Sequence, residues 1–241
     1  MRISLCHRLT PESSSISKQA SLHKSILEEG GANVIEIKTK TGTPFKFSLF
    51  YNLLTGPKPD TISVFCSSWW GFLPAIFSVV AAKIRGSKVI INYHGGDFSR
   101  FQSKFSFLVN LVMNGADYKV VPSHFLEAKF RNLNYRNIII IPNILDDLFL
   151  SKLELKKNNK PIFISTRSLE KEYRVDHSII LFSKIQNKFK SAKFLILGNG
   201  QQLPHLQLLV KQLGLRENIL FFGHVSNNDI ARFYNLSNYS L

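Results

Sequence analysis

The stretch IFISTRSLEKEYRVDHSIILFSKIQNKFKSAKFLILGNG, residues 162–200, decides the fold. It contains a short apolar run at 162–165 and another at 194–197, separated by a segment long enough for a helix. Each apolar run is followed at once by polar residues or glycines. Continuously apolar short runs are typical of strands buried on both faces of a sheet. The stretch therefore predicts a strand–helix–strand unit of a parallel sheet.

The same alternation extends through the 241 residues. The predicted strands are Ile3–Cys6, Val34–Ile37, Ile62–Cys66, Val89–Tyr93, Tyr118–Val121, Ile138–Ile141, Ile162–Ser165, Phe194–Leu197 and Ile219–Phe222. Three helical stripes lie between strands: Ile16, Ala20, His23 and Leu27; Phe101, Phe105, Leu108, Val109 and Val112; and Leu203, Leu206, Val210 and Leu213, stopped by Gly214. The predicted fold class is therefore α/β, with doubly wound, Rossmann-like domains.

A charged, Asn-rich segment, SKLELKKNNK at 151–160, interrupts this alternation and is typical of a linker. It divides the chain into a first domain, residues 1–150, with six predicted strands, and a second, residues 161–241, with three. A further strand begins just as the sequence ends, so the second domain is expected to be incomplete.

Composition favours a folded protein that attracts anions. Apolar residues make up 44% of the chain, with 20 Phe, and the formal net charge is +15. Nucleotide phosphates, nucleic acid and an anionic membrane surface all fit this charge. The two cysteines, Cys6 and Cys66, lie in apolar runs and have no disulfide or metal-ligand spacing. No signal peptide is evident at the N-terminus, which favours a cytoplasmic location.

One segment allows an alternative. Between Asp60 and Lys83 there are 22 uncharged residues, enough to span a bilayer. The segment divides into a strand at 62–66, a turn at 67–71 and a helix at 72–84, and it contains Pro74. We expect it to fold as these separate elements.

Polar residues and glycines follow five of the predicted strands. The segments are His94-Gly95-Gly96-Asp97, Pro142-Asn143, Thr166-Arg167 with Lys171, Gly198-Asn199-Gly200 and Gly223-His224. Ligands of open α/β sheets bind outside the carboxyl ends of the strands. Taken singly, such a glycine is usually a turn and such an arginine a surface group. Five segments at the same sheet edge favour a site for an anionic ligand.

The residue types suggest roles in such a site. Arginine offers a planar fork to phosphate oxygens and lysine a point charge. Gly198 and Gly200 would let backbone N–H groups approach a phosphate or sugar. His94 can donate or accept a hydrogen bond near neutral pH. The sequence lacks the third glycine of G-x-G-x-x-G and has no P-loop, G-x-S-x-G, H-E-x-x-H or Asp-x-Asp motif, so neither a cofactor nor a metal is expected.

These segments, in this order, resemble the family 4 glycosyltransferases, which are retaining enzymes with two Rossmann-like domains (the GT-B type). The most specific parts are ISTRSLEKEYRVD at 164–176, AKFLILGNG at 192–200 and LGLRENILFFGHVSNNDIARFY at 213–234. INYHGGD at 91–97, ADYKVVPSHFLEAKF at 116–130 and IIIIPNILDDLF at 138–149 extend the resemblance into the first domain.

The resemblance implies retaining transfer of a hexosyl unit from a nucleotide sugar to a glycan or lipid-linked acceptor, as in polysaccharide or glycolipid synthesis. The implied site residues are His94 facing the reacting sugar; Arg167 and Lys171 on the donor diphosphate; Gly198, Asn199 and Gly200 lining the donor pocket; Gly223, His224 and Val225 beside the nucleobase; and Gly95, Gly96, Asp97 and Arg8 on the acceptor side.

Three departures from the family pattern affect these expectations. The segment from Cys6 to Pro11 replaces a Gly-Gly loop, and Lys171 lies closer to Arg167 than in many members. The sequence also ends before the family's paired-glutamate motif, so we expect little transferase activity and weak donor affinity from this chain.

Three other interpretations stay open at this point. The first is a noncatalytic nucleotide- or glycan-binding protein on the same scaffold. A nucleic-acid module ranks last, because no groove-reading helix or single-strand motif is present. Contact with an anionic membrane near Trp69, Trp70 and Phe72 is an addition to the transferase hypothesis; the competing expectation is that these aromatics belong to the core.

Overall fold

A computed structural model describes residues 1–8, 15–39, 44–145 and 160–241. The chain divides into two compact units, Met1–Ile144 and Leu145–Leu241. The sequence places the end of its first domain six residues later, at 150, and all but Lys160 of its linker lies outside the described residues.

The first unit is a six-stranded parallel sheet with helices on both faces. Its strands are β1 Arg2–Arg8, β2 Asn33–Thr39, β3 Thr61–Cys66, β4 Lys88–Tyr93, β5 Tyr118–Val121 and β6 Ile138–Ile140, and its helices are α1 Ser15–Glu29, α2 Pro44–Thr55, α3 Leu73–Arg85, α4 Phe98–Lys104, α5 Ser106–Gly115 and α6 His124–Asn132. The strand order is β2-β1-β3-β4-β5-β6: β2 is added on one side of β1, and β3 and the later strands are added on its other side.

Alternation along the strands divides the core of this unit into two layers. Ile62, Val64 and Cys66 of β3 face the larger layer, which also contains the buried residues of α2, α3, α5 and α6. Phe65 faces the opposite side, where it packs with Leu5 and with Ala20 of α1. The helix α1 is therefore the element that covers the sheet face on which Phe65 lies.

The second unit repeats this architecture on a smaller scale. Its strands are β7 Ile162–Ser165, β8 Lys193–Leu197, β9 Ile219–Gly223 and β10 Tyr239–Ser240, and its helices are α7 Val175–Lys188, α8 Leu203–Gln212 and α9 Asn227–Leu236. The order is β10-β7-β8-β9, all parallel. One core layer contains α7 and α8, and the other contains residues of α9. The strand expected at the end of the sequence is β10.

The uncharged segment after Asp60 is not one continuous helix. It forms β3, a 3-10 turn at Trp69–Phe72 and then α3, which ends at Gly86 in the left-handed conformation. Within the described ranges, no helix combines the length and apolar character needed to cross a bilayer. The predicted division of this segment is confirmed.

The predicted stripe from Phe101 to Val112 is wrong as a single helix. The backbone leaves the helical region at Phe105, where φ is −125° and ψ is 38°, and separates α4 from α5. Phe101 and Val109 are buried on their own helices, whereas Phe105 and Leu108 are exposed. The apolar periodicity continues across the break because each short helix needs its own buried face. The sequence analysis also did not predict α2.

Candidate functional site

Arg167 lies just beyond the carboxyl end of β7, at the point where strand order reverses in the second sheet. β8 lies on one side of β7 and β10 on the other, and such a switch point opens a crevice in parallel sheets. A pocket of about 540 Å³ occupies this position. Its lining residues are Thr166, Arg167, Tyr173, Ser178, Tyr234, Ser240 and Leu241. The exposed guanidinium of Arg167 is the cation that this pocket offers to an anionic group.

The pocket wall is held by a hydrogen bond between β7 and α9. The Thr166 hydroxyl lies 2.8 Å from the Tyr234 hydroxyl. Because Thr166 immediately precedes Arg167, this bond fixes the backbone from which the Arg167 side chain extends. Tyr234 ends the segment at 213–234 that resembles the family, but no role was predicted for it.

The glycines after β8 pack directly against the loop that carries Arg167. A Cβ atom at Gly198 would lie 2.3 Å from the Arg167 carbonyl oxygen, and one at Gly200 would lie 2.4 Å from the Leu169 backbone. Gly198 also has φ +146°, which side chains rarely adopt. Its N–H donates to the carbonyl of Gly223 at 2.7 Å. The structure thus gives a different reason for glycine at 198 from the predicted one: backbone contact with Arg167 rather than an N–H offered to a phosphate.

Backbone hydrogen bonds join the three strand ends of the second unit. The Leu169 N–H donates to the Asn199 carbonyl at 3.0 Å, and the bond from Gly198 to Gly223 links β8 with β9. The Asn199 side chain lies beside Gly223, whose φ is +68°. The structure therefore brings Arg167, Asn199 and Gly223 to one edge of the sheet, as predicted from their positions after strands.

The other two predicted residues after β9 have different environments. His224 is exposed to solvent. Val225 is partly buried and packs against Ile164, Leu195 and Leu197 in the core layer below α9. Ser226 then caps α9, because its hydroxyl accepts from the N–H of Asp229. The nucleobase contacts assigned to His224 and Val225 stay predictions.

Lys171 does not line the Arg167 pocket. It lies in a 3-10 turn, Lys171–Tyr173, and lines a separate pocket of about 260 Å³ together with Glu170, Arg174, Val175, Asp176, Gln202, His205 and Leu206. Tyr173 lines the Arg167 pocket in its place. Arg174 also lines this second pocket, and its backbone has φ +50°. Its side chain pairs with Asp176 at 3.2 Å, and this hydrogen bond lowers the pKa of the Asp176 carboxyl. The role of Lys171 on the diphosphate stays a prediction.

In the first unit, His94 follows β4, and both its backbone and its ring are in contact with β3. Its backbone N–H donates to the Cys66 carbonyl at 2.9 Å, and its ring stacks on Phe65 with centroids 5.5 Å apart. Asn143, which follows β6, acts on the ring and raises the pKa of His94. His23 of α1 packs edge-on against Phe65, with centroids 5.2 Å apart.

These surroundings keep the His94 ring neutral. Burial is the largest cause, followed by the positive field of His23, and together they lower the pKa of His94 to about 4 despite the opposing effect of Asn143. Burial also lowers the pKa of His23. At neutral pH, His94 therefore offers one N–H donor and one nitrogen lone pair.

The residues that follow His94 divide into packed and open positions. A Cβ at Gly95 would lie 2.5 Å from the Tyr93 hydroxyl, so this position accepts only glycine without movement. Gly96 faces open space. The Asp97 carboxylate accepts a hydrogen bond from Trp69 Nε1 at 3.0 Å. This bond gives the Asp97 carboxylate a structural role. The Arg8 side chain lies outside the described residues, so its acceptor role stays a prediction.

Two residues near His94 were missed as site residues. Gln19 and His23 are polar members of the α1 face, four residues apart, and His23 was interpreted only as part of an apolar stripe. Polar residues within a buried helical stripe are the signal that identifies them. In the described part of the chain, no three His, Cys, Asp or Glu side chains lie close enough to hold a metal ion.

Two units, each a parallel sheet with helices packed on it, are typical of the GT-B fold. The family described as "Glycosyl transferases group 1" matches residues 148–240. The match lies in the second unit and covers less than half of the chain, and there the chain resembles the group 1 glycosyltransferases. The family resemblance seen in the sequence is confirmed.

Among curated proteins, an uncharacterized glycosyltransferase of Methanocaldococcus jannaschii is 29% identical over 126 residues. The match covers 48% of this chain and 30% of the archaeal protein, so the two share less than a third of the longer protein's length.

Solved structures show the same fold at low identity. The lipopolysaccharide outer core galactosyltransferase WaaB, in its apo form, superposes with a TM-score of 0.68 at 12% identity, over 100% of this chain and 73% of that one. The UDP-GlcNAc 2-epimerase of Methanocaldococcus jannaschii gives a TM-score of 0.63 at 14% identity, over 97% and 76% of the two chains. The fold is therefore common to proteins that catalyse different reactions.

Proposed function

We propose that the protein transfers a hexosyl unit, with retention, from a nucleotide-sugar donor to a glycan or lipid-linked acceptor in polysaccharide or glycolipid synthesis. The observation that supports this most directly is the position of Arg167. It lines a polar pocket at the switch point between β7 and β10, within the unit that matches the glycosyltransferase family.

In the proposed reaction, the second unit binds the donor through its diphosphate. Arg167 presents a planar donor fork to the phosphate oxygens and neutralises the charge that builds up as the sugar–phosphate bond breaks. Lys171 is assigned to the same diphosphate, and Asn199 and Gly223 to the donor beside it. The chain positions its substrates and stabilises the leaving group without a metal or other cofactor in this scheme.

His94 is assigned to the reacting sugar. Because its ring is neutral, it contacts hydroxyl groups through hydrogen bonds and adds no charge of its own. The departing diphosphate then helps to take the proton of the acceptor hydroxyl.

The test is ligand-dependent thermal stability with a panel of UDP, GDP, ADP and CDP. A nucleotide present at ten times its Kd stabilises the folded state by about 1.4 kcal/mol. We expect at least one nucleotide to raise the unfolding temperature, and Arg167→Ala to abolish that rise. Arg216→Ala, which removes another exposed arginine of the second unit, is the matched control and should keep it. A rise that survives Arg167→Ala would refute this placement of the diphosphate.

A noncatalytic nucleotide- or glycan-binding protein is the alternative, since the same fold carries different functions. The two are separated by following nucleoside diphosphate release from nucleotide sugars in the presence of glycan and lipid-linked acceptors. Stabilisation by a nucleotide without acceptor-dependent release would favour the binding protein.

We also propose a cytoplasmic location with peripheral contact at an anionic membrane. An exposed surface of the first unit supports it, lined by Trp69, Trp70, Phe72, Leu73, Ile76, Phe101, Lys104, Phe105 and Leu108 around a pocket of about 300 Å³. Trp70 is 71% exposed, while Phe72 is buried as the competing expectation required. Lys104 lies over the Trp69 ring, and Arg100 is nearby, so cations border the apolar surface.

A further inference from the structure

The pocket of about 300 Å³ in the first unit lies between the 3-10 turn after β3 and the helices α3, α4 and α5. Eight of its nine lining residues are aromatic or aliphatic, and the ninth is Lys104. Its volume is at the lower end of the range of about 300–1,000 Å³ that is typical of small-molecule sites. The lining suits a hydrocarbon, because the hydroxyl groups of a sugar would be buried there without enough hydrogen-bond partners.

Contacts of Trp69 fix one wall of this pocket. Its ring packs against Phe101 and Phe105, with centroids 5.7 Å and 6.0 Å apart, and its Nε1 donates to the Asp97 carboxylate at 3.0 Å. The Trp69 backbone has φ +58°, a left-handed conformation that a bulky residue rarely adopts. Such a conformation persists only where the surrounding structure imposes it. The wall is therefore rigid, and a rigid site loses little conformational entropy when it binds a ligand.

Two cations of α4 border the pocket beside Trp69. The Lys104 Nζ lies 5.6 Å from the centroid of the Trp69 ring, and the guanidinium carbon of Arg100 lies 6.0 Å from it. The sequence has no Asp or Glu at 61–96 or at 98–116, the ranges that contain every lining residue. The intervening carboxylate, Asp97, already accepts a hydrogen bond from Trp69. This end of the pocket therefore attracts an anion.

The cationic end of the pocket adjoins the loop that follows β4. Asp97 lies three residues after His94, which is assigned to the reacting sugar, and α4 begins at the next residue, Phe98. A molecule with a hydrocarbon chain in the pocket and an anionic group at α4 would have its polar end beside this loop.

We infer that the pocket binds the hydrocarbon chain of an acidic lipid, whose phosphate lies at Arg100 and Lys104, and that this lipid carries the acceptor. The role as acceptor rests on the proposed function and favours a lipid-linked acceptor over a free glycan, whereas the lipid site itself does not rest on it. A site for one lipid molecule differs from contact with a bilayer surface, because it binds a lipid that is outside a membrane and saturates at one molecule per chain.

Intrinsic fluorescence tests the site directly. The chain has two tryptophans, Trp69 and Trp70, and both line the pocket, so the emission reports on this pocket. The probe is dodecyl phosphate, kept below its micelle concentration and titrated into the full chain. Trp70 is 71% exposed, so a hydrocarbon chain that covers it should shift the emission to shorter wavelength and saturate at one molecule per chain. The absence of a saturable shift would overturn the inference.

Related probes separate the two parts of the ligand. Dodecyl maltoside has the same hydrocarbon chain without a charge, and it should bind at least about ten-fold more weakly, since each nearby cation contributes roughly five-fold. Inorganic phosphate and maltose should produce no shift. Equal affinity for the two dodecyl compounds would overturn the acidic lipid, and a shift with maltose alone would indicate a sugar site instead. A shift caused by raising the protein concentration alone would show that a second copy covers the pocket.

Leu108→Glu introduces a carboxylate into the pocket lining from a position that is 40% exposed on α5. It should weaken the binding of dodecyl phosphate by about ten-fold or more, because the ligand loses an apolar contact and meets a like charge. Leu111→Glu is the matched control: it makes the same change of charge on the same helix, at a 61% exposed residue that does not line the pocket. It should bind as the wild type does. Equal weakening in both variants would overturn the site.

The double variant Arg100→Gln with Lys104→Gln keeps the test decisive if Leu108→Glu does not fold, because both side chains are exposed. It should weaken the binding of dodecyl phosphate by roughly ten-fold or more and leave that of dodecyl maltoside nearly unchanged. Lys83→Gln with Lys88→Gln removes two other exposed cations of the same unit and should bind both compounds as the wild type does. Equal weakening in the two double variants would show that the net charge, and not this site, attracts the phosphate.

The assay of nucleoside diphosphate release tests the role as acceptor site. Dodecyl phosphate should compete with lipid-linked acceptors, raising their KM without lowering kcat, and should leave the KM of the nucleotide sugar unchanged. A saturable fluorescence shift without this inhibition would overturn the acceptor role and keep the lipid site. If the wild-type chain transfers no sugar, the proposed function fails, and the fluorescence comparison alone decides the lipid site.

Discussion

At the scale of single residues, His94 is partly buried in an environment that disfavours its charge. Burial against Phe65 and the field of His23 both oppose protonation, and they lower the pKa of His94 to about 4 from the ordinary value of 6.5. The unfolded chain restores the ordinary value. In the interval between these two values, the unfolded state binds more protons than the folded state, so acid destabilises the fold through this residue.

We predict that His94→Gln makes the first unit less sensitive to acid. The His94 contribution to stability is fully present above about pH 6.5 and is lost as the pH falls toward 4. Between pH 7 and 5, the wild type should lose roughly 1–2 kcal/mol more of its free energy of unfolding than His94→Gln does. Urea unfolding followed at both pH values measures the difference.

His205→Gln, at an exposed position of the second unit, is the control for removing a histidine. Its acid sensitivity should match that of the wild type. His23 stays in all three proteins, and burial lowers its pKa as well. Equal losses for wild type and His94→Gln would contradict the shifted pKa.

At the scale of elements, the loops after β7 and β8 interlock through their backbones. The segment from Arg167 to Leu169 lies against Gly198 and Gly200 with no room for side chains at either glycine. The bonds from Leu169 to Asn199 and from Gln202 to Leu169 complete the contact. The position of the Arg167 side chain therefore depends on the loop after β8 as well as on its own strand.

We predict that Gly198→Ala destabilises the second unit and weakens nucleotide binding together. Its Cβ would collide with the Arg167 carbonyl, and φ +146° would be strained with a side chain. Gly214→Ala is the matched control, because Gly214 also has positive φ, +68°, but faces open space. Strain alone costs on the order of 1–3 kcal/mol, so Gly198→Ala should lose more than Gly214→Ala in urea unfolding. Equal losses would show that the loop contact is unimportant.

Some elements of the fold can be predicted from the sequence, and others cannot. Strands such as β4, β7 and β8 are predictable because short apolar runs have few alternatives, and their strand ends locate His94, Arg167 and Gly198. The break at Phe105 is not predictable from periodicity, since two short helices with separate buried faces give the same pattern as one. The hydrogen bonds between Gln19 and Ile144 cannot be predicted from the sequence either, because only the tertiary fold brings these two residues together.

At the scale of the whole molecule, charge and apolar surface favour the same kind of partner. The chain carries a formal net charge of +15. On α5, the outward residues Phe107 and Leu111 are 82% and 61% exposed, while Val109 and Val112 are buried on its other side. A helix that is apolar on both sides requires cover on its outer face. In the proposed membrane contact, an anionic bilayer would supply apolar cover and opposite charge to the surface that Lys104 and Arg100 border.

We predict that the wild-type chain sediments with vesicles of phosphatidylglycerol and phosphatidylcholine, and much less with phosphatidylcholine alone. The double variant Trp70→Ser with Phe107→Ser should weaken this binding by about ten-fold or more, since each large apolar side chain contributes about 1.5–3 kcal/mol when fully buried. Lys104→Gln should weaken it less, by about 1 kcal/mol.

Raising the salt concentration from 0.1 M to 1 M shortens the Debye length from about 10 Å to about 3 Å. This change should reduce the difference in binding between the two vesicle types. Phe189→Ser with Leu208→Ser removes two exposed apolar side chains of the second unit and should bind as the wild type does. If both double variants bind equally, the surface around Trp70 does not contact the membrane, and the net charge alone accounts for the attraction.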